Sequence, residues 1–307
     1  MTTVTASMVK DLRDKTGAGM MDCKRALAEN NGEMETSVDW LRKKGLAAAA
    51  KKAGRVAAEG LVGVLTEGRA GAVVEVNSET DFVARNDKFQ GFVAGVTRVV
   101  LEKGESLDSI KAASLPGHGG PVETALTELI ATIGENMSLR RARRLEVSEG
   151  VVIGYVHNSA APGLGEIGVL VALESPADTD PLAVLAKQLA MHVAAASPHA
   201  LDVGSLDPAA VERERAILTE KAQAEGKPAD RIPGIVEGQI RKYHQQVALL
   251  EQIYVIDGKT KVAAVVEQAA KEAGKPIKLA GFVRFALGEG IDKGESDFAA
   301  EVAAARG

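Results

Sequence analysis

Residues Gly71–Asn86 read GAVVEVNSETDFVARN, and the fold is decided there. Val74 and Val76 give the β-branched alternation of a strand, and Asn77, Ser78 and Thr80 supply turn chemistry after it. A helix is expected to begin at Asp81-Phe82, with the Asp81 carboxylate capping the free N–H groups of the first turn. That helix would bury Phe89, Val93, Val96 and Val100, a stripe spaced four, three and four. Phe82 lies off the stripe, so its ring is expected to project from the tip of the turn. Only 3% of the chain is aromatic, which makes an exposed phenylalanine informative.

Working outward, residues 1–54 read as three short helices. Thr5 or Ser7 can cap the first, with Met8, Val9 and Leu12 on its inner face. Thr16-Gly17-Ala18-Gly19 breaks the pattern, and a second helix runs from about Met20 to the stop Asn30-Asn31-Gly32. Met34, Val38 and Leu41 form a third stripe closed by Gly45, and Leu46–Gly54 reads as an Ala/Lys-rich link. From about Val56 to Val147 the order is strand, strand, helix, ending in the basic run Arg140–Arg144. A similar order returns from Val151: VVIGYVH, IGVLVALE, then a helix over Pro181–Ala196. GAVVEVNSETDFVA and IGVLVALESPADTDPLAV look like a degenerate repeat, which predicts two related sheet-and-helix subdomains facing each other. Residues 207–250 read as an antiparallel helical hairpin, broken at Gly226-Lys227-Pro228 and seamed by Ile232, Val236, Ile240, Tyr243, Val247 and Leu250. Final strands are expected at Glu251–Val255 and Leu279–Ala286, and a short helix at Asp292–Arg306 with Phe298 and Val302.

The chain has 307 residues, 46% of them apolar, enough for a substantial core and two or more structural units. Its net charge of -5 argues against a general nucleic-acid binder, which carries a basic excess, and suits a protein that docks on another protein. Cys23 is the single cysteine, so no internal disulfide can form. The absence of a basic-then-apolar leader points to the cytoplasm, and no apolar run is long enough to span a bilayer.

Candidate chemistry fails in most places. Gly258-Lys259-Thr260 lacks the upstream glycine of a phosphate loop, since Ile253 holds that position. Gly17-Ala18-Gly19 has Asp22 where a dinucleotide fingerprint needs glycine, and no strand precedes it. No cofactor is expected. His157, His192 and His199 have no partners at metal-ligand spacing. His192 sits in the apolar run LAMHVAA and reads as packed; Cys23 reads as core-lining, although Lys24-Arg25 could activate a thiol. Arg140–Arg144 has no interleaved aromatics and reads as a solvated strand face. Met20 and Met21, after the glycine turn, fit either a core or a contact surface.

ETDFVARN resembles the TDFVA signature of bacterial elongation factor Ts, the nucleotide-exchange partner of elongation factor Tu. Val9–Ala28 (VKDLRDKTGAGMMDCKRALA) is similar to that family's other signature. Ile133–Arg141 (IGENMSLRR), Leu189–Ala194 (LAMHVA), Gly281–Phe285 (GFVRF) and Asp297–Ala303 (DFAAEVA) match it in order along the chain. The resemblance implies an α+β protein in four parts. These are a ubiquitin-associated-like helical domain at 1–54, a core subdomain at 55–147, a second at 148–286 carrying the hairpin at 207–250, and a C-terminal helical module at 287–307. It implies no bond chemistry, elongation factor Tu as partner, and no direct binding of nucleotide, DNA or membrane. Self-association through the core subdomains is left open. The contact residues it implies are Thr80, Asp81, Phe82 and Val83 as the wedge that disturbs the partner's magnesium site. Arg13, Met20 and Met21 in the N-terminal helices, and Ile133, Gly134 and His157 in the core, complete the set. The alternative class is a helical adaptor or chaperone-like interaction protein, which would not need a strand-tip Asp-Phe pair.

Overall fold

The computed structural model describes residues 4–292. The fold is α+β: N-terminal helices followed by a curled antiparallel sheet with helices packed on it. Three helices open the chain, α1 (Ala6–Thr16), α2 (Met20–Glu29) and α3 (Met34–Lys52). Thr5 caps α1 by accepting from the Met8 N–H, and Gly17 ends it in a left-handed conformation at φ 67°. Val9, Leu12, Cys23, Ala26 and Leu27 form a separate small core among these helices, so Cys23 is a packing residue. Burial pushes its thiol pKa up, away from the reactive range.

Gly45 does not end the third helix. α3 continues through it to Lys52, so most of the expected link is helical. The reason is close packing: a Cβ on Gly45 would stand 3.3 Å from the Ala131 Cβ. The helical cost of glycine, about 1 kcal/mol, is offset by letting α3 approach the core.

Strands β1 (Glu59–Glu67) and β2 (Ala70–Ser78) form a hairpin, followed by α4 (Asp87–Lys103), α5 (Leu107–Ala112), α6 (Val122–Ile133) and β3 (Met137–Glu146). Then come β4 (Gly150–Ala161), β5 (Leu164–Glu174), α7 (Thr179–Ala196), α8 (Pro208–Ala224), α9 (Ile232–Val247), α10 (Val262–Ala273) and β6 (Lys278–Ala286). The strand order is β3-β2-β1-β5-β4, with β6 also on β5, so both halves belong to one hydrogen-bonded sheet, which curls so that they face each other across a shared layer of side chains. Residues 158–166 are the tip of the β4–β5 hairpin. There Gly165 and Leu164 pair with Val62 and Gly63 of β1 and join the halves.

Strand alternation builds two cores at once. From β2, Ala72, Val74 and Val76 enter the cluster under α4 and α6, while Val73 faces the opposite way. From β5, Val169, Val171 and Leu173 pack under α7, while Leu170 and Ala172 meet Val62 and Val73 in a layer between the halves. Glycine permits that contact. A Cβ at Gly71 would lie 2.7 Å from Val152, and one at Gly168 would lie 2.5 Å from Val62.

The internal repeat extends further than the strands. Phe89, Val93, Val96 and Val100 of α4 are buried at the same spacing as Leu182, Ala186, Leu189 and Val193 of α7. Leu115 N–H donates to Gly120 O before α6, and Tyr254 N–H donates to Thr260 O before α10. Gly134 and Gly274 close α6 and α10 in the left-handed region, and β3 and β6 follow. Helix α10 has no counterpart in the sequence reading. The expected strand Glu251–Val255 is absent: Leu249–Glu251 is a 3-10 turn, and Ile253 makes only an isolated bridge to Lys261. The Ile253/Val255 alternation belongs to the turn before α10, with Tyr254 pointing inward.

Helices α8 and α9 pack on each other through Ala222, Ile232, Val236 and Ile240, and Arg215 pairs with Glu237 across them. Their base is held to α7 by buried His192. Its Nδ1 accepts from the Val255 N–H (3.2 Å), which leaves Nε2 to donate to Gln252 Oε1 (2.9 Å). His192 is therefore the packed residue expected. Arg140–Arg144 is not a wholly solvated face. Arg140 and Arg141 both reach the fully buried carboxylate of Glu75, while Arg143 and Arg144 pair with Glu105 and Glu146. The helix expected over Asp292–Arg306 lies, beyond Asp292, outside the described residues.

Candidate protein-docking site

The turn after β2 differs from its expected form. Asp81 does not cap a helix; residues Asp81–Arg85 form a 3-10 turn with no side-chain cap. The helix starts at Asp87, capped by Asn86 Oδ1, which accepts from Lys88 N (3.0 Å) and Phe89 N (3.3 Å). Burial explains the difference. Val83 is only 3% exposed and sits in the core under α4 and α6, and an α-helix begun at Asp81 would not insert it there. The same turn leaves Phe82 74% exposed, as expected, but not for the reason of spacing. Phe82 stands 7, 11, 14 and 18 residues before Phe89, Val93, Val96 and Val100, which a continuous α-helix would place on the buried stripe, and the 3-10 turn takes it out of that phase. The other described phenylalanines, Phe89, Phe92, Phe282 and Phe285, are buried or half-buried.

Two carboxylates hold the base of this turn. Glu135 accepts from the Thr80 N–H (2.9 Å) and the Thr80 hydroxyl (2.6 Å). In return, Glu79 accepts from the Asn136 N–H (2.5 Å) and lies 3.5 Å from the Arg55 guanidinium. Asn136 Nδ2 donates to Arg55 O (2.7 Å), and Gln90 Nε2 donates to Ala84 O (2.8 Å) at the far end. The Phe82 turn is thus clamped onto Glu135 and Asn136, just past the end of α6, where Ile133 is half-buried and Gly134 exposed (φ 92°). The structure therefore joins Thr80–Val83 with Ile133 and Gly134. Sequence reasoning missed Glu79, Glu135 and Asn136 as the clamp; they stand more than fifty residues apart in sequence, and periodicity carries no signal for such pairs.

The other predicted residues lie in the N-terminal helices and near the β4–β5 tip. Met20 and Met21 are 60% and 70% exposed at the start of α2, and Arg13 is exposed on α1. The glycine corner between those helices reaches the first turn of α4, since a Cβ on Gly17 would stand 3.0 Å from Lys88 Nζ. A cleft of about 650 Å³ separates Asp81 and Arg85 from Asn158, Ser159 and Glu166 at the β4–β5 tip. His157 adjoins this tip. It is exposed and lies within β4, with Nδ1 3.1 Å from the Tyr155 hydroxyl. Among the described residues no group of acidic, histidine or cysteine side chains could hold a metal ion, and no helix is long and apolar enough to cross a membrane.

Comparison with known proteins fits this geometry. The family model described as elongation factor TS matches residues 79–289, from the first clamp carboxylate to the end of the core. The chain is 64% identical to elongation factor Ts of Paramagnetospirillum magneticum over 307 residues, all of this chain and 98% of that one. It is 65% identical to elongation factor Ts of Zymomonas mobilis and 59% identical to that of Rhodospirillum centenum, each over the full length of both chains. The chain belongs to the elongation factor Ts family. It is a translation elongation factor, a component of protein biosynthesis. The family match begins at the Phe82 turn and leaves the N-terminal helices outside, yet the full-length relatives include them.

Proposed function

We propose that the chain binds elongation factor Tu carrying GDP and promotes release of the nucleotide, so that GTP can rebind. The observation that carries this reading is Phe82, 74% exposed on a turn clamped by Glu79 and Glu135. A rigid turn presents the ring without the entropy cost of ordering it on contact. Burying the ring between helices of the partner's nucleotide domain is worth about 1.5–3 kcal/mol. Spent on one of two arrangements of the partner, that biases the equilibrium roughly ten- to a hundredfold. Thr80 and Val83 anchor the wedge, and Asp81 beside the ring helps to hold the contact.

The displaced groups are those that organise the partner's magnesium ion. Magnesium demands near-ideal octahedral geometry, so a small shift weakens phosphate binding strongly. Linkage makes the effect reciprocal: the chain loosens GDP by the factor by which GDP loosens the chain. No bond is made or broken, so the activity is exchange rather than enzymatic chemistry, and the chain needs no cofactor of its own. Arg13, Met20 and Met21 form a second contact beside the wedge; Ile133, Gly134 and His157 belong to the core contact. Its place of work is the cytoplasm. The test is release of a fluorescent GDP from elongation factor Tu with and without the chain. Acceleration that saturates with the chain supports the reading, and an unaltered release rate refutes it.

A further inference from the structure

The two halves of the repeat differ at one connection. Eight residues, 79–86, join β2 to α4, whereas four, 175–178, join β5 to α7. The extra length in the first half forms the turn that seats Val83 in the core under α4 and α6. In the second half that place is left as a groove of about 810 Å³ between α7 and α10. Leu182, Leu185, Tyr254, Val265, Ala269 and Ile277 line it, and Val184 on its wall is 60% exposed. Its polar lining is acidic: exposed Asp178, Asp257 and Glu272 stand against a single cation, Lys275.

We propose that the groove between α7 and α10 docks a short segment of a second protein that presents one aliphatic or aromatic side chain between basic residues. The apolar floor takes the side chain as the first half takes its own Val83. The three carboxylates favour lysine or arginine on either side. Asp257 stays charged because the Lys259 and Thr260 backbone N–H groups donate to it and hold its carboxyl at about 2. Charge disfavours occupants from this chain. Residues 293–307 carry Glu295, Asp297 and Glu301 against Lys293 and Arg306, and a second copy brings the same acidic rim. The groove lies in the other half of the repeat from Phe82, and none of the residues assigned above to the exchange contact lines it.

The test is a nuclear magnetic resonance titration of the ¹⁵N-labelled full chain with a capped peptide bearing Phe-Val at its centre and two lysines at each end. Saturable shifts confined to the amides of Ala177, Leu185, Tyr254, Val265 and Ile277 are expected. Glu272→Lys should weaken the lysine peptide about three- to tenfold and strengthen a glutamate-flanked one. This charge swap reads the proposal independently of Ala264→Trp, which should block the groove and abolish the shifts. The proposal is overturned by no saturable binding at millimolar peptide, by equal affinity for both peptides, or by shifts elsewhere. It is also overturned if these amides shift with protein concentration alone, which assigns the groove to a second copy. Shifts on deleting 293–307 would assign it to the chain's own tail.

Discussion

Replacing Glu135 with alanine should loosen the Phe82 turn while leaving the phenylalanine in place. The carboxylate accepts two hydrogen bonds from Thr80, at 2.9 and 2.6 Å. Bonds to a charged acceptor are worth about 1.5–3 kcal/mol each when buried. Glu135 is only half-buried, so a combined loss near 2 kcal/mol is the working figure. At about 1.4 kcal/mol per tenfold, the ordered turn would lose some thirtyfold against open conformations. The Glu79–Asn136 bond and the burial of Val83 remain and restrain part of that opening. The maximal rate of GDP release from elongation factor Tu at saturating factor should then fall about tenfold. Stopped-flow release of a fluorescent GDP measures that rate, and amide hydrogen exchange over residues 80–86 measures the loosening. Glu135→Gln, which keeps a neutral acceptor, should fall between alanine and the natural residue. A full release rate combined with faster amide exchange would refute the claim that the clamp's rigidity serves exchange.

Glu75→Gln removes the charge that Arg140 and Arg141 face, and breaking a buried pair of this kind costs about 3–5 kcal/mol. Burial alone would raise the Glu75 pKa, but bonds from Gly288 N–H, Asn77, Arg140 and Arg141 outweigh it and hold it below the ordinary 4.5. Its contribution is therefore full above about pH 4.5 and lost as the pH falls through the depressed value, so chemical denaturation should show the variant's deficit shrinking in acid. Met20→Glu with Met21→Glu should weaken association with elongation factor Tu, read by calorimetry, and leave melting unchanged, because both side chains are mostly exposed. Replacing 208–246 with a Gly/Ser linker should preserve the maximal release rate. The helices α8 and α9 pack on themselves, and their base is tied separately, with Leu249 N–H donating to Ala200 O; a large fall in that maximum would assign the hairpin a part in deforming the nucleotide site.

Much of this architecture was legible because it rests on local periodicity. The stripes of α4 and α9 and the N-terminal helices follow from residue spacing alone, whereas the exposure of Phe82 depends on the 3-10 turn that takes it out of phase with the α4 stripe. Misreadings arose where tertiary contact overrode a local signal. Gly45 resembles a helix stop, but the approach of α3 to Ala131 makes it an interior residue. Asp81 and Asn86 are both good caps by type, and the burial of Val83 selects Asn86. Helix α10 was obscured because Ile253 and Val255 imitate a strand just before it, although its apolar positions Val262, Val265 and Val266 are helical in spacing. The clamp partners Glu79 and Glu135 carry no signal beyond being polar residues near turns, since their pairing is set by the fold.

The central claim is that Phe82 acts on elongation factor Tu as a wedge, and Phe82→Ala tests it most directly. The measurement is the maximal rate of fluorescent GDP release at saturating factor, with thermal melting of the free variant alongside. Losing the burial of about 1.5–3 kcal/mol predicts a rate lower by roughly ten- to a hundredfold, with melting unchanged because the ring is 74% exposed. A full release rate would contradict the account, as would a clear fall in melting temperature, which would make Phe82 a residue of the core.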